Sequence, residues 1–249
     1  MDDQPPAPGL TTAVVNRSLG AEVVDRLREG IVTGVLKAGE HLREANLSAA
    51  MDVSRSPIRD AFAQLHHEGL VTLRRNHGAV VVGMSEQDIQ EVYSLRVSLE
   101  TLAVRRAIDL ADADDIAALR AAASRIPKVQ AVTDLKEYAD LDLSFHDLIY
   151  RTARHQKLYQ CWTMLRPHIC RFLVSSNIAN NLGRNRSDNE HEELVETIAG
   201  HDSERAVAMI ESHLNAAYRR LLEGYRDFAD RSVVPVELGS DEGGRKLAD

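Results

Sequence analysis

The chain has few aromatic residues, few cysteines and no long apolar run. Phe, Trp and Tyr make up 4% of its 249 residues, so aliphatic side chains must build the core, as where helices pack on helices. The two cysteines, Cys161 and Cys170, argue against a disulfide scaffold and fit a reducing cytoplasm. No apolar stretch approaches 18 residues, and the first residues lack the pattern of a signal peptide. We therefore expect a soluble, cytoplasmic protein that does not enter a membrane.

Signatures of catalysis are also missing. The sequence contains no Gly-rich phosphate loop, no nucleophile elbow and no His-Glu-x-x-His helix. The nearest match to the last of these, at residues 191–193, departs from the required spacing. We therefore predict that the protein is not an enzyme.

Acidic residues exceed basic ones, but the excess is unevenly distributed. The formal net charge is −8, which disfavours nucleic acid as a partner if the charge is spread evenly. Between residues 54 and 78, however, four arginines stand against two acidic residues. Such a local basic surface can bind phosphates, with an affinity that falls steeply as salt rises.

The segment from residue 54 to residue 70 is typical of a DNA-recognition helix. Ser54 is a good N-cap that can accept from the first free N–H groups, and Pro57 fits within the first turn. Arg55 and Arg59 are four residues apart and share one face, and Gly69 ends the helix. The opposite, apolar face consists of Ile58, Phe62 and Leu65. The alternative is an ordinary amphipathic helix with solvated arginines.

The flanking segments favour the DNA-binding interpretation. Residues 42–51 predict a short helix directly upstream. Downstream, β-branched runs at residues 71–75 and 79–82 surround residues 76–78, which predicts a hairpin. Two helices followed by a basic-tipped hairpin form a winged helix-turn-helix.

The order of these residues resembles the N-terminal domain of GntR-type bacterial transcription regulators. The pattern Gly-x-Leu-x-x-Gly-x-x-Leu begins at Gly34, and Val-Ser-Arg-x-Pro-x-Arg-x-Ala begins at Val53. One departure is Ala45, where many members carry a basic residue that contacts phosphate. The resemblance implies DNA contacts in the recognition helix and at the wing tip, namely Ser54, Arg55, Ser56, Arg59, His77 and Gly78.

Composition and periodicity divide the chain into four parts. Residues 1–17 and 228–249 are predicted tails, residues 18–83 the winged domain, and residues 84–227 an all-helical domain. Within the last of these we predict helices over 85–110, 112–126, 133–153, 156–181, 187–199 and 202–226, with Ser85, Asp112, Thr133 and Asp202 as N-caps. The expected fold is mostly α, a winged helix-turn-helix followed by a helical bundle.

Three histidines and one aspartate stand out in the second domain. Asp142 and His146 are four residues apart and project from one face of an apolar helix. His191 begins another helix, and His213 lies within a third. Together they can close around a metal ion in a bundle interior. From the residues alone, a hydrogen-bonded Asp–His pair and unrelated structural histidines remain the alternative.

This domain resembles the FCD ligand-binding domain of the FadR subfamily, with the pattern Leu95-Arg96-x-x-x-Glu100 on its first helix. The resemblance implies a metal site formed by Asp142, His146, His191 and His213. Neutral imidazoles with one carboxylate favour a divalent transition metal, zinc in the first place, with nickel or manganese as alternatives. A small carboxylate effector would then complete the coordination.

Arg96 is the candidate clamp for that carboxylate, because a guanidinium binds a carboxylate in bidentate geometry. The alternative is a salt bridge to Glu100. Arg171 and Asn177 are further candidates for the pocket lining. The prediction is a homodimeric regulator, a repressor by family resemblance, that binds palindromic half-sites of double-stranded DNA under control of the effector. A pure metal sensor and a metal-dependent hydrolase are the other possibilities.

Overall fold

The computed structural model describes residues 19–74, 77–127, 134–180 and 189–232, and it is mostly helical. This confirms the expected fold class, a winged helix-turn-helix followed by a helical bundle. None of the described helices is long and apolar enough to span a bilayer.

Three helices and three strands form the N-terminal part. In chain order they are α1 (Leu19–Val32), β1 (His41–Leu42), α2 (Glu44–Met51), α3 (Arg55–His67), β2 (Val71–Arg74) and β3 (Gly78–Val81). The strands form an antiparallel sheet in the order β1-β3-β2, with His41 opposite Val80 and Leu73 opposite Ala79. The hairpin was predicted, but β1 was not. Leu42 belongs to this strand, so α2 begins two residues later than predicted.

The apolar face of α3 packs on α1. The predicted residues Ile58, Phe62 and Leu65 are buried there against Val23, Leu27 and Ile31. Ser54 stands at the N-cap position, but its side chain accepts no capping bond, contrary to our expectation. Gly69 follows the C-cap with φ +73°, the left-handed conformation that favours glycine after a helix.

Six helices form the second part. They are α4 (Glu86–Leu110), α5 (Ala113–Arg125), α6 (Leu135–Thr152), α7 (Gln156–Asn180), α8 (Glu190–Ala199) and α9 (Ser203–Ser232). Each corresponds to a predicted helix. α9 continues to Ser232, six residues beyond its predicted end and into the segment expected to be a tail.

Side-chain caps explain where several of these helices start. Ser85 with Asp88, and Asp112 with Asp115, form reciprocal capping boxes at α4 and α5. Asp134 caps α6 by accepting from two backbone N–H groups. The predicted cap, Thr133, lies outside the described residues.

Helix α7 contributes a tryptophan to the bundle core. Trp162 is fully buried, stacks on Tyr150 of α6 with ring centroids 4.6 Å apart, and donates to Asp147 at 2.5 Å. Further along, α7 contains Pro167, which cannot donate to the carbonyl four residues earlier. The same helix also packs on α1 of the winged part.

Candidate functional site

The four residues predicted to bind a metal meet inside the bundle. Asp142 and His146 come from α6, His191 from α8 and His213 from α9. One ligand atom from each lies within 4.8 Å of the others. His191 Nε2 is 3.2 Å from one carboxylate oxygen of Asp142, and His146 Nε2 is 3.8 Å from the other. All four side chains are at least nine-tenths buried.

Two glutamates stand behind these imidazoles. Glu100 of α4 forms an ion pair with His146 Nδ1, and Glu190 Oε2 lies 2.9 Å from His213 Nδ1. A carboxylate at one ring nitrogen fixes the imidazole and leaves the other nitrogen for a metal. Both glutamates therefore direct an Nε2 atom towards the centre of the cluster.

The geometry and the chemistry of this cluster fit a transition-metal ion. The buried Nε2 of His146 has no hydrogen-bond partner among the described residues, although buried polar atoms are nearly always paired. Three imidazoles and one carboxylate are a typical ligand set for zinc or nickel and a poor one for calcium or magnesium.

Electrostatics keep both central carboxylates ionised. Burial alone would raise the pKa of Asp142, but the hydrogen bond and charge of His191, with the charges of the other imidazoles, hold it well below its usual range. Burial likewise opposes ionisation of Glu100, yet Arg96 and His146 lower the pKa of Glu100 to about 2. The site therefore offers a negatively charged ligand at every physiological pH.

Arg96 lies beside this cluster, in the bundle core. Its Nε donates to Glu100 at 2.8 Å, and its guanidinium carbon lies 5.7 Å from the ring centroids of Tyr93 and Trp162. The salt bridge considered from the sequence is therefore present, but it is buried rather than exposed. Arg96 Nη2 is also buried and has no hydrogen-bond partner among the described side chains, so it remains available to an anionic ligand.

A small cavity adjoins the cluster between α8 and α9. Its volume is about 180 Å³, and His191, His213, Glu190 and Met209 contribute to its wall. Arg171, a weaker candidate for the pocket, lies elsewhere. Its Nη1 donates to the backbone carbonyl of Val82 at 2.7 Å. The side chain of Asn177 is outside the described part of the chain.

The predicted DNA-contacting residues form one face of the winged part. Ser54, Arg55, Ser56 and Arg59 are exposed at the start of α3, and His77 is exposed at the wing. A groove between the recognition helix and the wing is lined by His41, Arg43, Glu44, Ala45, Arg55, Arg59, His77 and Gly78. Its position and basic residues are those expected of a nucleic-acid interface.

Two of these residues also have structural roles. Arg59 Nε donates to Glu44 of α2 at 2.7 Å, although 63% of the Arg59 side chain is exposed. Gly78 has φ +81°, and a Cβ atom there would overlap the carbonyl oxygen of Leu42 in β1. Gly78 is therefore required for the close approach of β1 and β3, whatever its contact with DNA.

Three residues at these sites were not predicted from the sequence, namely His41, Arg43 and Glu190, and Glu100 was predicted only as a partner of Arg96. His41 and Arg43 face the groove, and Glu100 and Glu190 contact the cluster histidines. Arg43 could have been predicted from the sequence. It is a basic residue two positions before Ala45, the position at which many family members carry the basic residue that this chain lacks. The contact between Glu100 and His146 joins α4 to α6. Because these helices are distant in the sequence, no local sequence pattern predicts it.

Comparison with known proteins agrees with this architecture. The model of "Bacterial regulatory proteins, gntR family" matches residues 19–81, and that of the "FCD domain" matches residues 91–216. A similar curated protein is the gluconate operon transcriptional repressor of Bacillus subtilis, 34% identical over 163 residues. The match covers 64% of this chain and spans 65% of the length of that relative.

Two solved structures share the fold. A GntR family member from Pseudomonas syringae is 29% identical, with a TM-score of 0.53, over 86% of this chain and 89% of its own. The McbR/YncC protein of E. coli, at 20% identity, has a TM-score of 0.71 over 84% of this chain and 99% of its own. The matched families and relatives are transcription regulators rather than enzymes.

Proposed function

Because the chain belongs to the GntR family of bacterial regulatory proteins and carries an FCD domain, we propose that it is a cytoplasmic, DNA-binding transcriptional repressor. A small carboxylate, bound at a metal centre in the bundle, controls its affinity for the operator. The observation that carries this proposal is the buried cluster of one aspartate and three histidines beside an arginine with an unpaired nitrogen.

Operator recognition is assigned to the exposed groove residues. Arg55 and Arg59 lie at the N-terminal end of α3, the end of a recognition helix that contacts base edges. His77 and Gly78 lie at the wing, beside the groove. In a homodimer, two such helices would read two half-sites of a palindrome. Repression is inferred from the names of similar proteins, which include the "Gluconate operon transcriptional repressor" of Bacillus subtilis and the "Probable D-xylose utilization operon transcriptional repressor" of Paenarthrobacter nicotinovorans.

Effector binding is assigned to the cluster and Arg96. Asp142, His146, His191 and His213 would hold a divalent metal, zinc in the first place, which would supply positive charge and open coordination positions for carboxylate oxygens. Arg96 Nη2 would then donate to the same carboxylate. The gluconate-operon relative makes small hydroxy acids the first class to test.

The test is thermal melting of zinc-loaded and chelator-stripped protein against a panel of small carboxylates that includes gluconate. We expect one acid to raise the melting temperature by several degrees, only in the presence of zinc, because a ligand that binds the native state stabilises it. The same acid should change affinity for a duplex selected from a random pool, measured by fluorescence anisotropy.

Two variants make this experiment specific. His191→Ala should remove stoichiometric zinc, and with it the response to the acid. His201→Asn is the matched control, because His201 bonds the Ile108 carbonyl outside the cluster. If the His191 variant still binds stoichiometric zinc, the metal site is not the cluster. If the wild-type protein selects no duplex from the pool, the DNA-binding assignment is refuted.

A metal sensor is the second candidate function. Arg96 bonds Glu100, and Glu100 in turn contacts the metal ligand His146. Arg96 can therefore serve to support the metal site rather than to bind a carboxylate, and in that case the metal itself is the signal. In that case zinc would change the affinity for the selected duplex while no acid in the panel shifts the melting temperature.

A further inference from the structure

Two side chains of α7 reach across to the winged part of the chain. His168 Nε2 donates to the backbone carbonyl of Glu68 at 2.6 Å, and Arg171 Nη1 donates to the carbonyl of Val82 at 2.7 Å. The two donors are three residues apart, so they share one face of the helix. Arg171 is buried, and burial lowers the pKa of His168, which favours a neutral ring donating a single hydrogen bond.

The two acceptors lie at the two ends of the wing. Glu68 is the C-cap of α3, three positions before β2 begins at Val71, and Val82 directly follows β3. The N–H of Val82 donates to the carbonyl of Leu70 at 3.0 Å, which closes the base of the hairpin. Contacts from α7 therefore fix the exit of the recognition helix and the return of the wing together.

Close packing reinforces the contact at Glu68. A Cβ atom on Gly69 would lie 3.3 Å from two atoms of the His168 ring, so the ring sits directly over this glycine. Arg28 of α1 binds both carboxylate oxygens of Glu68, at 2.9 and 2.6 Å. Glu68 thus connects α1, α3 and α7.

Another part of α7 contacts the surroundings of the metal cluster. The ring of Trp162 lies 6.3 Å from that of His146 and beneath the guanidinium of Arg96. His168 lies six positions after Trp162, a rise of about 9 Å along a helix. Pro167 lies between them and removes one hydrogen bond of the helix. One helix therefore contacts both the neighbourhood of the cluster and the base of the wing.

We propose that His168 and Arg171 are positioning residues that hold the recognition helix and the wing against the bundle. Through α7, the same pair transmits changes at the cluster to the DNA-binding surface. The first statement concerns the interface alone, and the second rests on the proposed function. The two are tested separately.

The holding role is tested by hydrogen–deuterium exchange of the full chain. In His168→Asn/Arg171→Ala, we expect amides of residues 68–82 to exchange about tenfold faster, because two partly buried hydrogen bonds between α7 and the winged part are lost. The Val82 amide donates to the Leu70 carbonyl and reports opening of the wing base, and the Leu70 amide donates to the Leu65 carbonyl and reports opening at the end of α3. Exchange in α4 and α6 should not change. Equal exchange at residues 68–82 in wild type and variant would overturn the proposal.

Two further variants exclude general destabilisation. His201→Asn removes a bond of the same kind, from His201 Nδ1 to the Ile108 carbonyl at 2.8 Å, but within the bundle. It should leave residues 68–82 unaffected. His168→Gln/Arg171→Lys keeps a donor at both positions and should restore most of the protection. Faster exchange of residues 68–82 in the His201 variant would contradict a role specific to α7.

Transmission is tested with zinc alone as the probe. In the wild type, zinc should slow exchange in α6 and α8 and also at residues 68–82. In His168→Asn/Arg171→Ala, only α6 and α8 should respond. The same slowing at residues 68–82 in both proteins would overturn transmission. If zinc does not slow exchange in α6 and α8 of the wild type, the metal centre and transmission are both refuted. The holding role is still decided by comparing exchange in the wild type and the double variant without zinc.

Discussion

Two arginines, one in the winged part and one in the helical bundle, pair with a glutamate in very different surroundings. Arg59 bonds Glu44 at 2.7 Å with 63% of its side chain exposed, and Arg96 bonds Glu100 at 2.8 Å with 1% exposed. Water screens the first pair, which can exchange its partner for DNA at little cost. The second pair has lost its water, and each member depends on the other. Similar distances therefore predict opposite mutational behaviour.

The largest expected effect is on the buried pair. Glu100→Ala should lower the free energy of unfolding by about 3–5 kcal/mol, because the charge of Arg96 is left buried and unpaired. Urea denaturation measures this change. Glu44→Ala is the matched variant for the exposed pair and should cost less than about 1 kcal/mol. Equal losses would show that burial does not distinguish the two pairs.

Acid should weaken the buried pair in a defined range. The pKa of Glu100 is about 2 in the folded chain against an ordinary 4.5, so its ionisation stabilises the fold above pH 4.5. That contribution is lost as pH falls from 4.5 towards 2, by about 2 kcal/mol between pH 5 and pH 3. Urea unfolding of zinc-free protein across this range should show a shallower acid decline in Glu100→Gln. Parallel declines would contradict the lowered pKa.

Within the winged part, one glycine should behave like a core residue. Gly78→Ala should destabilise the fold by about 2 kcal/mol or more, because it combines a positive φ with overlap of the Leu42 carbonyl. Gly34 has a similar φ of +77° but open space around it, so Gly34→Ala isolates the conformational cost. Thermal unfolding should separate the two. A Gly34 variant that is equally unstable would exclude the overlap as the cause.

The smallest effect on stability should accompany a large effect on DNA. Arg59→Ala should change the free energy of unfolding by less than about 0.5 kcal/mol, since the side chain is exposed. Affinity for a selected duplex should fall about tenfold to a hundredfold, because an arginine contact with a base edge contributes about 1–3 kcal/mol. Anisotropy titration measures the loss. Wild-type affinity in this variant would remove Arg59 from the interface.

Much of the fold was predictable because its signals are local. The capping pairs at Ser85 and Asp112 lie three residues apart in the sequence, and the helical periodicity is carried by consecutive turns. Strand β1 was missed because two residues cannot display an alternating pattern, and its partner β3 lies about 38 positions away. The helical continuation to Ser232 was also missed, since a polar sequence predicts a tail.

The site was only partly predictable. The spacing of Asp142 and His146 places both on one face, but the approach of His191 and His213 depends on how three helices pack, and the family resemblance supplied it. Arg96 and Glu100 were recognised as an i,i+4 pair. Their burial beside His146, which makes them part of the cluster's support, is a property of the tertiary structure.

The joint between α7 and the winged part, formed by the hydrogen bonds of His168 and Arg171, has a consequence for divergence and for engineering. Both of its acceptors are main-chain carbonyls, which every amino acid provides. Side chains on the winged side can therefore vary, and operator preference can vary with them, while the joint is retained. The exception is Gly69, because the His168 ring lies directly over it and leaves little room for a side chain. A chimaera that grafts another winged module onto this bundle should keep the joint if it preserves that glycine and the backbone path.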